Sequence, residues 1–183
     1  MVAPDPGTQA LVGITRAIAR NGEHMTSGVG NRLLGFLREL QVSTTWTVVV
    51  TEEAGALSRW QLSGTTWQAT VVVEPQRWLG LEFEARDPVT GRRTTYDIDT
   101  DLYDISQDKQ REFAEEIERD IIEFLDNLRK GVVLRGNDGS KFVLVFPLNG
   151  SYVRVVQGRF ITSASSHADL VAARTGGVYV PVE

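Results

Sequence analysis

Residues 107–130 form the stretch QDKQREFAEEIERDIIEFLDNLRK, in which apolar side chains recur at intervals of three and four. This spacing places them along one side of an α-helix and leaves the charged residues on the other side. Arg129 and Lys130 suit the negative end of the helix dipole, and Gly131 follows where a left-handed cap is expected. The pattern predicts one long amphipathic helix. Its predicted apolar stripe consists of Phe113, Ile117, Ile121, Phe124, Leu125 and Leu128.

The segment before this helix, residues 44–99, has a different period. Trp46, Val48 and Val50 alternate with polar residues, as in a half-buried strand. The same alternation recurs between turn signals such as Asp87-Pro88, and five short strands with tight turns are typical of an antiparallel meander. After the helix, the sequence predicts strands at 132–135, 141–146 and 152–156, a short helix at 166–174 and a strand at 178–182. Residues 142–146 are apolar on both faces, which predicts a central strand that is covered on both sides.

Two further helices are predicted upstream, at 8–20 and 29–41. The fold class that follows is α+β, with an antiparallel sheet of about eight strands packed on the long helix and the N-terminal helices. We expect a single domain over residues 1–183. Its parts are a helical segment (8–41), the meander (44–99), the long helix (107–130) and a C-terminal unit of strands and a short helix (132–183).

Composition excludes several classes of function. The 183 residues include no cysteine, which excludes disulfides, thiolate catalysis and Cys-ligated metal. The formal net charge of -5 argues against general binding of nucleic acid. No apolar run approaches the ~18 residues of a membrane span, and the first residues lack the pattern of a signal peptide. We therefore expect a soluble cytoplasmic protein, with its oligomeric state left open.

Acidic residues are concentrated in one part of the chain. Residues 97–126 contain twelve acidic and three basic side chains, whereas residues 129–183 contain seven basic and three acidic ones. Many of the acids belong to the long helix, where Glu116, Asp120 and Glu123 are predicted to face away from the apolar stripe. Such a surface either keeps the protein in solution or docks a partner with a basic surface.

Two patterns in the sequence resemble reactive or metal-binding sites, and both fall short. Asp97, Asp99 and Asp101 alternate as in a calcium loop, but the sixth position is Leu102 instead of glycine. Ser165, His167 and Asp169 lie close in sequence, although nucleophile and base normally meet through the fold. The sequence therefore predicts no catalytic residue, no metal site and no cofactor.

Trp78 stands apart from the other tryptophans. In its strand, Leu79, Leu81 and Phe83 share one face, so the opposite face carries Trp78, Glu82 and Glu84. Trp46, Trp60 and Trp67 instead share a face with apolar neighbours and are predicted to be core residues. A tryptophan beside carboxylates on a polar face can anchor a protein partner, or it can fold under a loop or be covered by the long helix.

Two classes of function remain open. The first is a non-catalytic protein that binds another polypeptide, such as a chaperone, an adaptor or an immunity factor, through Trp78, Glu82, Glu84, Glu116, Asp120 and Glu123. The second is a protein that binds a small molecule, or a cofactor-independent enzyme, with a pocket between the sheet and the long helix. That pocket would use tyrosines such as Tyr96, Tyr103 or Tyr152. A packed interior favours the first class, and a closed apolar cavity favours the second.

Overall fold

The computed structural model describes residues 28–52, 56–100, 103–158, 161–175 and 177–183. The predicted helix at 8–20 lies outside these residues, and so do Asp101 and Leu102. Within them the chain combines helices with antiparallel sheets, which confirms the α+β class. In chain order the elements are α1 (Asn31–Ser43), β1 (Thr47–Glu52), β2 (Ser58–Ser63), β3 (Trp67–Glu74), β4 (Trp78–Arg86), β5 (Arg93–Asp99), α2 (Asp108–Arg129), β6 (Leu134–Asp138), β7 (Lys141–Leu148), β8 (Ser151–Gln157), β9 (Thr162–His167), α3 (Leu170–Ala173) and β10 (Tyr179–Pro181).

Strands β1 to β5 form the first sheet. They pair in sequence order and each pair is antiparallel, so the predicted meander is confirmed. Leu79, Leu81 and Phe83 of β4 are buried as the alternation requires. Trp60 and Trp67 are core residues as predicted, and the half-buried Trp46 packs edge-on against Trp67.

Strands β6 to β10 form the second sheet, in the order β10-β6-β7-β8-β9. The expected single sheet of about eight strands is therefore wrong in number, since the described residues contain ten strands in two sheets. Strand β9 has the sequence Thr-Ser-Ala-Ser-Ser-His, which offers no apolar alternation, and it is held by pairing along β8. The predicted helix at 166–174 is shorter than expected because β9 takes up its first residues. β7 is central and buried on both faces over 142–146, as predicted.

Helix α2 lies against both sheets and contacts β4, β5 and β7. Ile121 and Leu125 are fully buried along its inner side. The ring of Phe124 contacts Phe83 of the first sheet and Phe146 of the second, with centroid distances of 5.0 Å in both cases. These aromatic contacts join the two sheets through the helix into one hydrophobic core.

The helix departs from its predicted pattern at two positions. Phe113, expected in the apolar stripe, is 48% exposed because the buried side of α2 begins only at Ala114. Glu118, by contrast, is only 1% exposed although it is acidic. Its Oε2 accepts hydrogen bonds from the Arg32 guanidinium at 2.7 and 3.0 Å, and its Oε1 accepts from the N–H of Leu33 at 3.0 Å. The Glu118 carboxylate thereby holds the start of α1 against α2, since a buried carboxylate requires hydrogen-bonding and cationic partners.

Candidate functional site

The outer face of the first sheet is the side that points away from α2. The register between strands sets its composition, because alternate residues of each strand point to the same side. Val72 on this face is buried, whereas the side chains given below are exposed or half-buried in the described structure. They belong to Thr47, Val49, Gln61, Ser63, Gln68, Thr70, Trp78, Glu82, Glu84, Thr95, Asp97 and Asp99.

This face is concave over its central strands. The depression has a volume of about 580 Å³ and extends from Thr47 and Val49 on β1 to Asp97 on β5. Its lining is polar apart from Val49 and the edges of core residues, and two glutamates, Glu82 and Glu84, lie within it. A shallow polar depression of this kind suits an extended chain better than a compact apolar ligand, which needs an enclosed site.

Three carboxylates on the outer face form an acidic patch: Glu82, Asp97 and Asp99. Glu82 lies directly opposite Asp97 in the β4–β5 register, an arrangement that places like charges side by side. The pKa of Asp97 is raised, first because the sheet partly removes it from water and then because Glu82 and Asp99 lie nearby. A cation at this patch would relieve the repulsion between the carboxylates.

Glu84 differs from the acidic patch because it already has cationic neighbours. Its carboxylate lies 3.4 Å from the Arg93 guanidinium and 3.9 Å from that of Arg86. Glu84 is therefore partly neutralised within the chain, although it shares the outer face with Trp78 and Glu82 as the sequence predicts.

Trp78 lies at one end of the outer face and is half-buried. Its indole nitrogen donates a hydrogen bond to Asp99 Oδ1 at 2.5 Å. The indole also lies against Gly80, since a Cβ atom there would stand 3.3 Å from the same nitrogen. The ring is thus positioned by its own chain but remains partly open to solvent, and it borders the acidic patch through Asp99.

The three predicted site residues of α2 lie elsewhere. Asp120 Oδ2 accepts from the Asn149 side chain at 3.1 Å, and the Glu123 carboxylate accepts from the Asn149 N–H at 3.2 Å. Asn149 has a positive φ in the turn between β7 and β8, so these acids help to hold that turn. The pKa of Asp120 is raised by partial burial. Glu116 is exposed. The structure therefore does not bring Glu116, Asp120 and Glu123 together with Trp78, Glu82 and Glu84, which lie on the opposite side of the first sheet.

The serine and histidine of β9 are close to each other, as their spacing on one strand allows. Ser165 Oγ lies 3.0 Å from His167 Nε2. Asp169, however, accepts from the N–H of Ala172 at 2.8 Å and caps α3 instead of orienting the histidine. In the described ranges no group of three or more histidine, aspartate and glutamate side chains could hold a metal ion.

A second depression, which the sequence did not predict, has the opposite charge. It measures about 440 Å³ and lies where the start of β5 meets the β6–β7 turn. We call it the basic cleft. Its lining residues are Arg92, Arg93, Ser140, Lys141, Phe142, Gln157 and Gly158. The only signal in the sequence was the pair Arg92-Arg93, because Lys141 lies far away along the chain.

Comparison with protein-family models, curated proteins and solved structures finds no match to this chain. No helix in the described part of the chain is long and apolar enough to cross a lipid bilayer. We therefore infer the function from the geometry of the described residues.

Proposed function

We propose that this protein binds a basic, extended segment of another polypeptide on the outer face of its first sheet, without catalysis. The observation that carries the proposal is the acidic patch, where Glu82 and Asp97 lie opposite each other on neighbouring strands of an open sheet face. Lysine or arginine side chains of a partner would pair with these carboxylates and remove their mutual repulsion. Such complementarity gives specificity and speeds encounter.

The packing of the interior favours this proposal over a pocket between the first sheet and α2. That space is occupied by aromatic rings, with Phe83 against Phe124 at 5.0 Å and Tyr96 against Phe124 at 5.6 Å between centroids. The hydroxyl of Tyr103 donates to the Pro75 carbonyl at 2.8 Å, which ties it to the fold. The aromatic rings and the tyrosine hydroxyl are therefore engaged in packing the interior. A small-molecule site in this space would need the same groups to contact its ligand.

Trp78 supplies an aromatic surface at the end of the same face. Because its hydrogen bond to Asp99 fixes the indole, the ring can meet a partner with little loss of side-chain freedom. An aromatic ring next to carboxylates suits a segment in which basic and apolar residues alternate. We assign the docking role to Trp78, Glu82 and Asp97, with Glu84 at the margin.

The test uses a fluorescent peptide of alternating lysine and threonine, with a glutamate–threonine peptide for comparison. We expect the basic peptide to bind saturably in an anisotropy titration and the acidic peptide not to bind. The double variant Glu82→Gln/Asp97→Asn should weaken binding of the basic peptide about tenfold, because both carboxylates of the facing pair become neutral.

A matched control removes two negative charges at exposed positions of α2, as Glu112→Gln/Glu115→Gln. This variant should change peptide affinity less than about twofold, because these residues lie on the helix and not on the outer face. Equal losses in the two double variants would mean that the peptide senses only net charge, and the proposal would fail.

Trp78→Ala tests the aromatic contribution. We expect the free energy of unfolding to change by no more than about 1 kcal/mol, since the ring is only half-buried. Affinity for the basic peptide should fall about fivefold when measured with the same titration. If the substitution unfolds the protein, or leaves peptide affinity unchanged, Trp78 is a structural residue and has no docking role.

A further inference from the structure

Strand β1 is an edge of the first sheet. It pairs with β2 along one side, and no other strand of the described residues pairs with its second side. Residues 47–51 have the sequence Thr-Val-Val-Val-Thr, which contains neither a charged residue nor a proline. Val49 is 50% exposed on the outer face, and Val48 and Val50 are only half-buried on the inner face. This edge therefore presents backbone groups that can pair, next to apolar side chains that the fold leaves partly uncovered.

The other three edges of the two sheets are less suited to pairing. Strand β5 packs against the second sheet, where Thr94 Oγ1 donates to the Phe142 carbonyl at 3.0 Å. Strand β10 has three residues and includes Pro181, which cannot donate to a ladder. Strand β9 has the polar sequence Thr-Ser-Ala-Ser-Ser-His. Natural sheets block association of their edges with charges, prolines or short strands, and residues 47–51 of β1 use none of these devices.

The sequence of β1 is complementary to a second copy of itself. Residues 47–51 read the same in both directions, so antiparallel pairing about Val49 places this residue opposite Val49 of the second copy. Thr47 then lies opposite Thr51, and Val48 lies opposite Val50. Pairs of threonines and of β-branched apolar residues stabilise antiparallel strands when they lie directly opposite each other. Each pair also joins residues of the same face, so the outer faces of the two copies would lie on one side.

We propose that this protein forms a symmetric dimer in which the two β1 strands pair antiparallel and join two five-stranded sheets into one. A basic segment of another polypeptide would gain no ion pair at this uncharged edge, whereas a second copy matches it at every position. The depression on the outer face reaches β1 at Thr47 and Val49. The dimer therefore brings the depressions of both copies next to each other, with one acidic patch on either side of the two-fold axis. Only this last consequence rests on the proposed function.

The pairing is tested by sedimentation of the full chain at increasing concentration, without any peptide. We expect a monomer–dimer equilibrium with a dissociation constant of about 1–100 μM, because a pairing of this length is at the low end of interface size. Val49→Lys and Val49→Glu should each weaken the dimer at least about tenfold, since like charges would meet at the two-fold axis. An equimolar mixture of the two variants should restore the dimer, because opposite charges then face each other.

Val89→Lys is the matched control, since Val89 is 89% exposed in the turn between β4 and β5. It should change the dissociation constant of the dimer less than about twofold. Thermal melting checks that each variant retains the fold. Because the chain has no cysteine, Val49→Cys also reports the register. It should cross-link to its own copy under mild oxidation, as directly opposed strand residues lie within reach of a disulfide, and Val89→Cys should not.

Three results would overturn the dimer. The first is a wild-type chain that stays monomeric at all concentrations, and the second is a dimer that Val49→Lys leaves intact. The third is a monomer whose β1 amides become protected from hydrogen exchange when the basic peptide binds, since the edge would then receive that peptide instead of a second copy. Sedimentation without peptide and the peptide titration are separate measurements, so failure of the dimer is distinguishable from failure of the docking proposal.

Discussion

The outer face of the first sheet carries Gln68, Thr70 and Glu82 at the centre of its strands, whereas the corresponding face of the second sheet carries Val143 and Val145 on β7. On the second sheet these valines are fully buried, and Ala173 of α3 packs with them. Each sheet has five antiparallel strands, and each packs its other face toward α2. The difference therefore lies in the outward side chains and not in the backbone.

Apolar side chains on the outward face of a sheet favour the packing of a further layer of structure on that face. Outward valines of the second sheet gain free energy when α3 and Tyr179 pack beside them, so the chain folds back over that face. Outward glutamines, threonines and carboxylates gain nothing from apolar contact and stay toward solvent. The first face is consequently the one that a separate molecule can reach.

The largest expected effect on stability comes from truncating side chains of α2, the helix that packs against both sheets. Ile121→Ala and Leu125→Ala should each lower the free energy of unfolding by about 2–5 kcal/mol, because both side chains are fully buried in α2 between the sheets. Urea denaturation measures this change. Phe113→Ala on the exposed side of the same helix is the control and should cost far less. Losses below about 0.5 kcal/mol at both core positions would show that this side of α2 is not packed.

A smaller effect on stability distinguishes the covered outer face of the second sheet from the open outer face of the first sheet. Val145→Thr should cost about 1–3 kcal/mol, because it places a hydroxyl without a partner in the small core beneath α3. The same change at Val49, which is 50% exposed on the outer face of the first sheet, should stay within about 0.5 kcal/mol. Both are measured by denaturation. Similar costs at the two positions would contradict the assignment of one face as covered and the other as open.

The smallest effect concerns the acidic patch and depends on pH. Burial and neighbouring acids raise the pKa of Asp97 in the folded protein, so the folded state binds this proton more tightly than the unfolded state. The wild-type protein therefore loses stability as the pH rises through the ordinary aspartate pKa of 3.8 toward the raised value. Above that interval Asp97→Asn should be more stable by less than about 1 kcal/mol, since water and salt screen the exposed patch.

Thermal melting at pH 7 and well below pH 3.8 checks the sign of this effect. The stability gained by Asp97→Asn should be present at neutral pH. It should be absent in acid, where Asp97 of the wild-type protein is protonated in both the folded and the unfolded state. Glu112→Gln on α2 serves as the control. A gain that persists in acid would mean that the asparagine stabilises by its own contacts and not by removal of repulsion. A stabilising Asp97→Asn would indicate that the acidic patch is kept at a cost to folding, as expected for a binding surface.

Only part of the candidate site could be predicted from the sequence. The period of two in β4 placed Trp78, Glu82 and Glu84 on one face, because side-chain alternation is a local property of a strand. The proximity of Asp97 to Glu82 depends on the register between β4 and β5, which the tertiary structure decides. The α2 acids show the reverse case: the sequence predicts Asp120 and Glu123 as partner-binding residues together with Trp78, whereas the tertiary structure places both of them against the Asn149 turn.

The sequence by itself determined the long helix, the meander and the buried side of β4, because each follows from a short-range period that neighbouring residues carry. Only the tertiary structure decided the division into two sheets, the formation of β9, the burial of Glu118 against Arg32 and the basic cleft. These features depend on pairing between distant segments: β9 forms because β8 offers unpaired backbone groups, and Arg92 reaches the Ser140 carbonyl because Thr94 binds the Phe142 carbonyl beside it. Such contacts are set by the free energy of the whole fold, and no local pattern of side chains encodes them.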